Sequence, residues 1–198
     1  MAARRGLASA DDKRRGTWQD WVAMHQLLLL RHAKAIAAER GGADRDRPLS
    51  PAGRQAIAAM RVTIRELGLA PDLILVSTAR RTLETLEALE PWDDTPLVDT
   101  LDQLYLATAN QMLAELRRVA ETVRSLMLIG HNPGMQELAM ALASGPGGDT
   151  EAARRITEGF PTAALAEFSV AGPWWQLDQR AARLVRLIRP RDLGRASR

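Results

Sequence analysis

Gln26-Leu27-Leu28-Leu29-Leu30 runs directly into Arg31-His32-Ala33-Lys34-Ala35. Much later, Ser125-Leu126-Met127-Leu128-Ile129 runs into Gly130-His131-Asn132-Pro133-Gly134. Both stretches read as short buried strands that break into a polar loop, and each loop opens on a histidine. The chain has three histidines, so two of the three hold equivalent strand-to-loop positions. In an open parallel sheet the carboxyl ends of the strands face the ligand crevice. Two imidazoles beside Arg31 at such an edge point to chemistry on a bound anion, most simply phosphate.

Around these two stretches, strand and helix signals alternate. Ser50-Pro51 reads as an N-cap followed by proline at the first helical position. The helix it opens carries Ile57, Met60, Ile64 and Leu67 at three- and four-residue spacing and stops at Gly68. Asp72–Ser77 predicts a second strand, Arg80–Leu89 a helix, Leu97–Asp99 a short strand, Asn110–Thr122 a helix, and Gly134–Ala143 another. Past these, Ala163–Val170, Trp174–Leu177 and Arg183–Ile188 read as strands joined by short turns, with Gly172-Pro173 the clearest turn. The expected fold is α/β: a three-layer α/β/α sandwich whose mainly parallel central sheet ends in an antiparallel edge strand. Residues 1–25 read as an N-terminal extension in which Trp18, Trp21 and Val22 form one face of a short docking turn. Residues 26–193 read as one domain and 194–198 as a tail.

Composition narrows the function. The chain has 198 residues, enough for one domain with a sizeable core. It has no cysteine, which excludes disulfides, thiolate metal sites and cysteine nucleophiles. Its net charge is +3, and Lys13 and Lys34 are its only lysines. That balance gives no reason to expect a nucleic-acid partner. No apolar run is long enough to span a bilayer, and the basic start lacks the apolar core of a secretory signal. The expectation is a cytoplasmic protein without a membrane partner; oligomeric state is not legible.

A third segment falls on the same sheet edge: Ser77-Thr78-Ala79-Arg80-Arg81-Thr82-Leu83-Glu84-Thr85, after the second strand. With it the chain resembles the histidine phosphatase superfamily, the phosphoglycerate mutase-like fold, and within it the small phosphohistidine phosphatases of the SixA type. The resemblance rests on Arg31-His32-Ala33-Lys34-Ala35, then Arg47-Pro48-Leu49-Ser50 with Gly53 and Arg54, then Ser77 with Arg81 and Thr85, then Gly130-His131-Asn132-Pro133-Gly134, all in the expected order. It implies a two-step phosphoryl transfer with His32 as nucleophile. Arg31, Arg81 and His131 then bind the phosphoryl oxygens, and no metal or cofactor is required.

Physical chemistry supports those roles. Neutral imidazole is nucleophilic near pH 7. Charge on the transferred group spreads over its oxygens, so positioned cations do most of the work. Arginine forks onto two oxygens at once. Arg80 is the rival of Arg81. On a helix the two point about 100° apart, so one of them reaches the pocket, and the four-residue spacing to Thr85 selects Arg81. Ser77-Thr78 stands where the family has Ser-Pro; Ser77 either orients a pocket residue or merely ends the strand. Asn132 replaces the aspartate of the acid-phosphatase branch and is expected to bond loop backbone. Asp102 is the candidate general acid, and equally a loop or helix-start residue. The modest loop between Ala33 and Ser50 suggests an open pocket. The expected substrate is protein phosphohistidine, with small phosphomonoesters or phosphoramidates as the alternative and a non-catalytic phosphate-binding or interaction module as the rival from another class.

Overall fold

In a computed structural model, which describes residues 24–37 and 41–193, one six-stranded sheet organises the chain. The expected docking turn at Trp18, Trp21 and Val22 lies outside those residues. The strands are β1 (Met24–Arg31), β2 (Leu73–Ser77), β3 (Leu97–Leu101), β4 (Ser125–Gly130), β5 (Leu165–Ala171) and β6 (Ala182–Ile188). The helices are α1 (Pro51–Glu66), α2 (Arg80–Glu87), α3 (Ala109–Leu116), α4 (Gly134–Ala143) and α5 (Thr150–Glu158). Spatial strand order is β3-β2-β4-β1-β5-β6. The β3-β2, β2-β4 and β4-β1 pairs are parallel, whereas β1-β5 and β5-β6 are antiparallel. The fold is therefore α/β with a mixed sheet. The strand of reversed direction is β5, and β6 closes the edge beside it.

Strand alternation divides the core in two, because successive side chains point to opposite faces. Leu27, Leu29, Leu73, Leu75, Leu126 and Leu128 face one side and pack with Met112, Leu116, Leu138 and Ile156 from α3, α4 and α5. Leu28, Leu30, Ile74, Val76, Met127 and Ile129 face the other and pack with Ile57, Met60, Ile64 and Leu86 from α1 and α2. This explains why β1, β2 and β4 read as unbroken apolar runs: both faces are covered.

Three expectations need correction. Trp174–Leu177 is no strand; Trp174–Gln176 forms a 3-10 turn. The Trp174 indole is buried, and its N–H donates to the Val123 carbonyl at 2.8 Å, while Trp175 is exposed. The helix expected over Asn110–Thr122 ends at Leu116. Helix α5 was not anticipated. Its N-cap Asp149 accepts from the Glu151 and Ala152 amides, but the face it buries is only Ala152 and Ile156. So thin a stripe gives little periodic signal.

The Arg47–Arg54 motif has a structural reason. Ser50 caps α1 by accepting from the Gly53 amide at 3.1 Å, and its hydroxyl donates to the Lys34 carbonyl at 3.0 Å. The Ser50 amide reaches the same carbonyl at 2.8 Å. The first turn of α1 thus sits directly on the loop that follows β1. A Cβ at position 53 would lie 2.1 Å from the Lys34 oxygen, so only glycine fits. We expect Gly53→Ala to lower unfolding free energy by about 1–3 kcal/mol, measured by urea denaturation. A stability equal to wild type would show that α1 is free to withdraw from the loop.

Candidate active site

Because β1 and β4 are adjacent and parallel with Arg31 opposite Gly130, the next residue on each strand is a histidine. His32 and His131 emerge side by side, with ring centroids 5.1 Å apart. Both are buried. The other parallel neighbour of β4 is β2, and its last residue, Ser77, places its hydroxyl 2.8 Å from His131 Nε2. Tyr105 meets the His131 ring edge-on at 5.7 Å.

The hydrogen bonds fix how the imidazoles present themselves. His32 Nδ1 lies 2.7 Å from the Ala33 carbonyl. A carbonyl only accepts, so Nδ1 carries the proton, and in the neutral ring the lone pair is left on Nε2. Burial lowers the His32 pKa to about 4; the bond to Ala33 opposes the shift and the charges of Arg81, Arg31 and Arg47 add to it. Burial lowers His131 to about 3, with His32, Arg81 and Arg31 contributing and Asp44 opposing. Both rings are neutral at pH 7. Among the described residues, His131 Nδ1 is buried with no hydrogen-bond partner.

Two guanidinium groups, from different elements, lie close enough for their charge to act on both imidazoles. Arg31 donates through Nη1 to the Phe160 carbonyl at 2.8 Å, and among the described residues its buried Nε has no partner. One end of the fork is anchored, and the Nε edge is unspent. Arg81 is buried on the first turn of α2, while its neighbour Arg80 is exposed and pairs with Glu84 at 2.7 Å. Helical geometry thus turns Arg81 inward and Arg80 outward. Thr85, one turn on, accepts from the Ala33 amide at 3.0 Å and donates to the Arg81 carbonyl at 2.6 Å. A single hydroxyl ties the histidine loop to the helix that carries the arginine. The far end of Arg81 is held by Asp44, whose carbonyl accepts from Nη1 at 2.7 Å and whose Oδ2 accepts from Nη2 at 3.0 Å.

Comparison with known proteins places this arrangement. The model of the histidine phosphatase superfamily, branch 1, matches residues 27–104. An uncharacterised Mycobacterium tuberculosis protein is 38% identical over 162 residues, covering 82% of this chain and all of that one. A structure from Nakamurella multipartitia, named for the phosphohistidine phosphatase SixA, is 29% identical with a TM-score of 0.74, covering 85% of this chain and 98% of that one. The protein histidine phosphatase SixA in complex with tungstate shares the fold at 22% identity, with a TM-score of 0.67 over 85% of this chain and 99% of that one. The chain belongs to the histidine phosphatase superfamily. It is a phosphatase, SixA-like in structure.

In this superfamily member, sequence reasoning nominated His32, Arg31, Arg81 and His131, and the fold brings all four to one edge of the sheet. Asn132 donates to the Phe160 carbonyl at 3.1 Å, a loop-backbone bond. Asp102 is placed differently. Its carboxylate is 70% exposed, pairs with Arg45, and accepts from the Thr78 hydroxyl at 2.6 Å. Among the described residues no hydrogen bond joins it to either histidine, and it begins a 3-10 turn, Asp102–Leu104. Two residues the sequence reading left without a role are Asp44 and Tyr105. Besides Arg81, Asp44 accepts from Arg47 at 2.8 Å and from the Tyr105 hydroxyl at 2.9 Å. The Arg47 bond leads in lowering the Asp44 pKa to about 2; burial opposes it, and Tyr105 and Arg81 reinforce it. Asp44 is therefore an anion that steadies two arginines. No spacing rule points to it, since two of its three partners, Arg81 and Tyr105, come from distant segments.

Two outcomes follow. A histidine held neutral in the fold favours the native state above its unfolded pKa. That contribution is present above pH 6.5 and is lost as pH falls, down to about pH 4 for His32 and about pH 3 for His131. For His32 the loss is on the order of 3 kcal/mol, so urea stability of His32→Asn should fall less between pH 7.5 and pH 5 than that of wild type. Parallel pH profiles would show that the His32 site is not desolvated. Separately, Thr85→Val strands the Ala33 amide and should cost about 1–3 kcal/mol of stability, with a loss of turnover beyond the loss of folded protein. Unaltered turnover per folded molecule would free Arg81 from dependence on this bond.

Proposed function

We propose that this phosphatase works through a phosphohistidine intermediate on His32 and acts on protein phosphohistidine. The observation that carries the mechanism is the His32 tautomer. Nδ1–H is committed to Ala33 O, which leaves Nε2 unprotonated and free to attack phosphorus. Arg31 and Arg81 supply positive charge to the transferred oxygens. His131 Nδ1, buried and unpartnered, donates to a further oxygen once Ser77 donates to Nε2. Water then attacks the phosphohistidine and frees His32. These donors stand in place before reaction, which is the condition under which electrostatic stabilisation is large.

The substrate class follows from proton demand. An alkoxide leaving group requires a general acid. Asp44 is strongly ionised, and Asp102 is engaged by Arg45 and Thr78, so we assign neither of them that role. A phosphoramidate bond relaxes the requirement because imidazole leaves more readily than an alkoxide. Small phosphoramidates are turned over by the same groups on this reading, and phosphomonoesters more slowly. Among the described residues no helix is long and apolar enough to cross a membrane, and we place the enzyme in the cytoplasm with phosphorylated protein as its partner.

With a phosphorus-labelled phosphohistidine protein, an alkaline quench should trap label on His32, located by mass spectrometry. His32→Ala should abolish the label and lower turnover by at least about a thousandfold. Turnover that survives His32→Ala would remove the nucleophile, and phosphomonoester rates above phosphohistidine rates would remove the substrate class.

A further inference from the structure

Beside the reaction centre lies a cavity of about 500 Å³, within the size range of ligand pockets. Neither His32 nor His131 lines it. Arg31 does, and so borders both the imidazole pair and the cavity. Between α5 and β5, residues 159–162 form part of the wall, and residues 189–191 after β6 form another part. A single phosphoryl group occupies only a small fraction of such a space, so the cavity has room for what the phosphoryl group is attached to.

The charges around it do not cancel. Four charged side chains contribute to the lining: Arg31, Glu158, Arg189 and Arg191. Glu158 is paired with Arg154. Arg189 is buried and paired with Asp192 at 3.1 Å. Arg31 donates to a carbonyl, which leaves its charge uncompensated. Arg191 is exposed, and among the described residues it makes no ion pair. Among the described residues, two of these cations therefore remain without counter-ions. The first adjoins the phosphoryl site. The second, which lines the same cavity, is left for another anion on the same substrate, in a space a single phosphate does not fill.

We infer that this cavity receives the polypeptide flanking the phosphorylated residue, and that Arg191 selects an acidic side chain there. The inference rests on the phosphoprotein reading above. Complementary charge at an exposed rim acts on selection and encounter more than on chemistry. Its expected weight is that of an exposed ion pair, about fivefold.

The test uses two phosphohistidine peptides that differ only in flanking residues, glutamate in one and lysine in the other, with phosphoramidate as a small reference substrate. Wild-type protein should show kcat/KM about fivefold higher for the acidic peptide, and Arg191→Glu should reverse the order. The ratio of the two peptides within one enzyme preparation is independent of how much of the variant is folded. An unchanged ratio in Arg191→Glu, or no preference in wild type while both peptides are hydrolysed, overturns the cavity assignment alone. Turnover of phosphoramidate with none of either peptide overturns the phosphoprotein reading and the cavity assignment with it.

Discussion

The parallel pairing of β1 with β4 is the constraint on which the site depends. Arg31 stands opposite Gly130 across that ladder, so the two histidines leave adjacent strands at the same level. A shift of one residue would reverse which face each side chain takes. It would also bury a charged arginine in the wrong layer. The shared burial of Leu27 to Leu30 on both faces of the sheet makes that shift costly, since every leucine would exchange one core for the other. The apolar runs that build the core thereby fix the position of the chemistry.

Around that pair the surrounding structure acts through electrostatics rather than through acid-base groups. The imidazoles are neutral because they are buried and lie among arginines. The arginines in turn are held at one end each, Arg31 by Phe160 O and Arg81 by Asp44. Anchoring one end of a guanidinium group orients the other without neutralising the whole pocket, because a carbonyl carries no net charge. Asp44 does carry charge, but it divides that charge among Arg47, Arg81 and Tyr105. The result is a site with excess positive character and fixed donors, suited to an oxyanion whose charge grows or spreads during transfer.

The small side chains of the motifs serve close approach. Gly53 lets α1 rest on the Lys34 carbonyl, and Gly134 lets α4 begin against Ala107, where a Cβ would lie 2.0 Å from the Ala107 oxygen. Each glycine sits where a helix starts just beyond a loop that carries a pocket residue. Ser50 and Thr85 perform the same task with hydroxyls. The loop after β1 is thus tied to α1 and α2 from two directions, and these bonds help to orient His32.

Much of this was legible in the chain. Unbroken apolar runs identify strands covered on both faces, and a histidine just beyond two of them, β1 and β4, marks the edge of the candidate site, because these are local properties of sequence. The inward turn of Arg81 rather than Arg80 was legible too, since a helix separates neighbours by a fixed angle and the spacing to Thr85 picks out Arg81. Helix α5 and the turn at Trp174 were not, because each depends on a few contacts made far along the chain. Asp44 was equally hidden, as its partners Tyr105 and Arg81 converge on it only after folding. So were the Asp102–Arg45 pair and the open charge on Arg191. Sequence patterning determines which residues are buried and on which element they ride. Which charge meets which, and which is left unpaired, is decided by tertiary structure, because charged partners are chosen by distance in space and not by separation along the backbone.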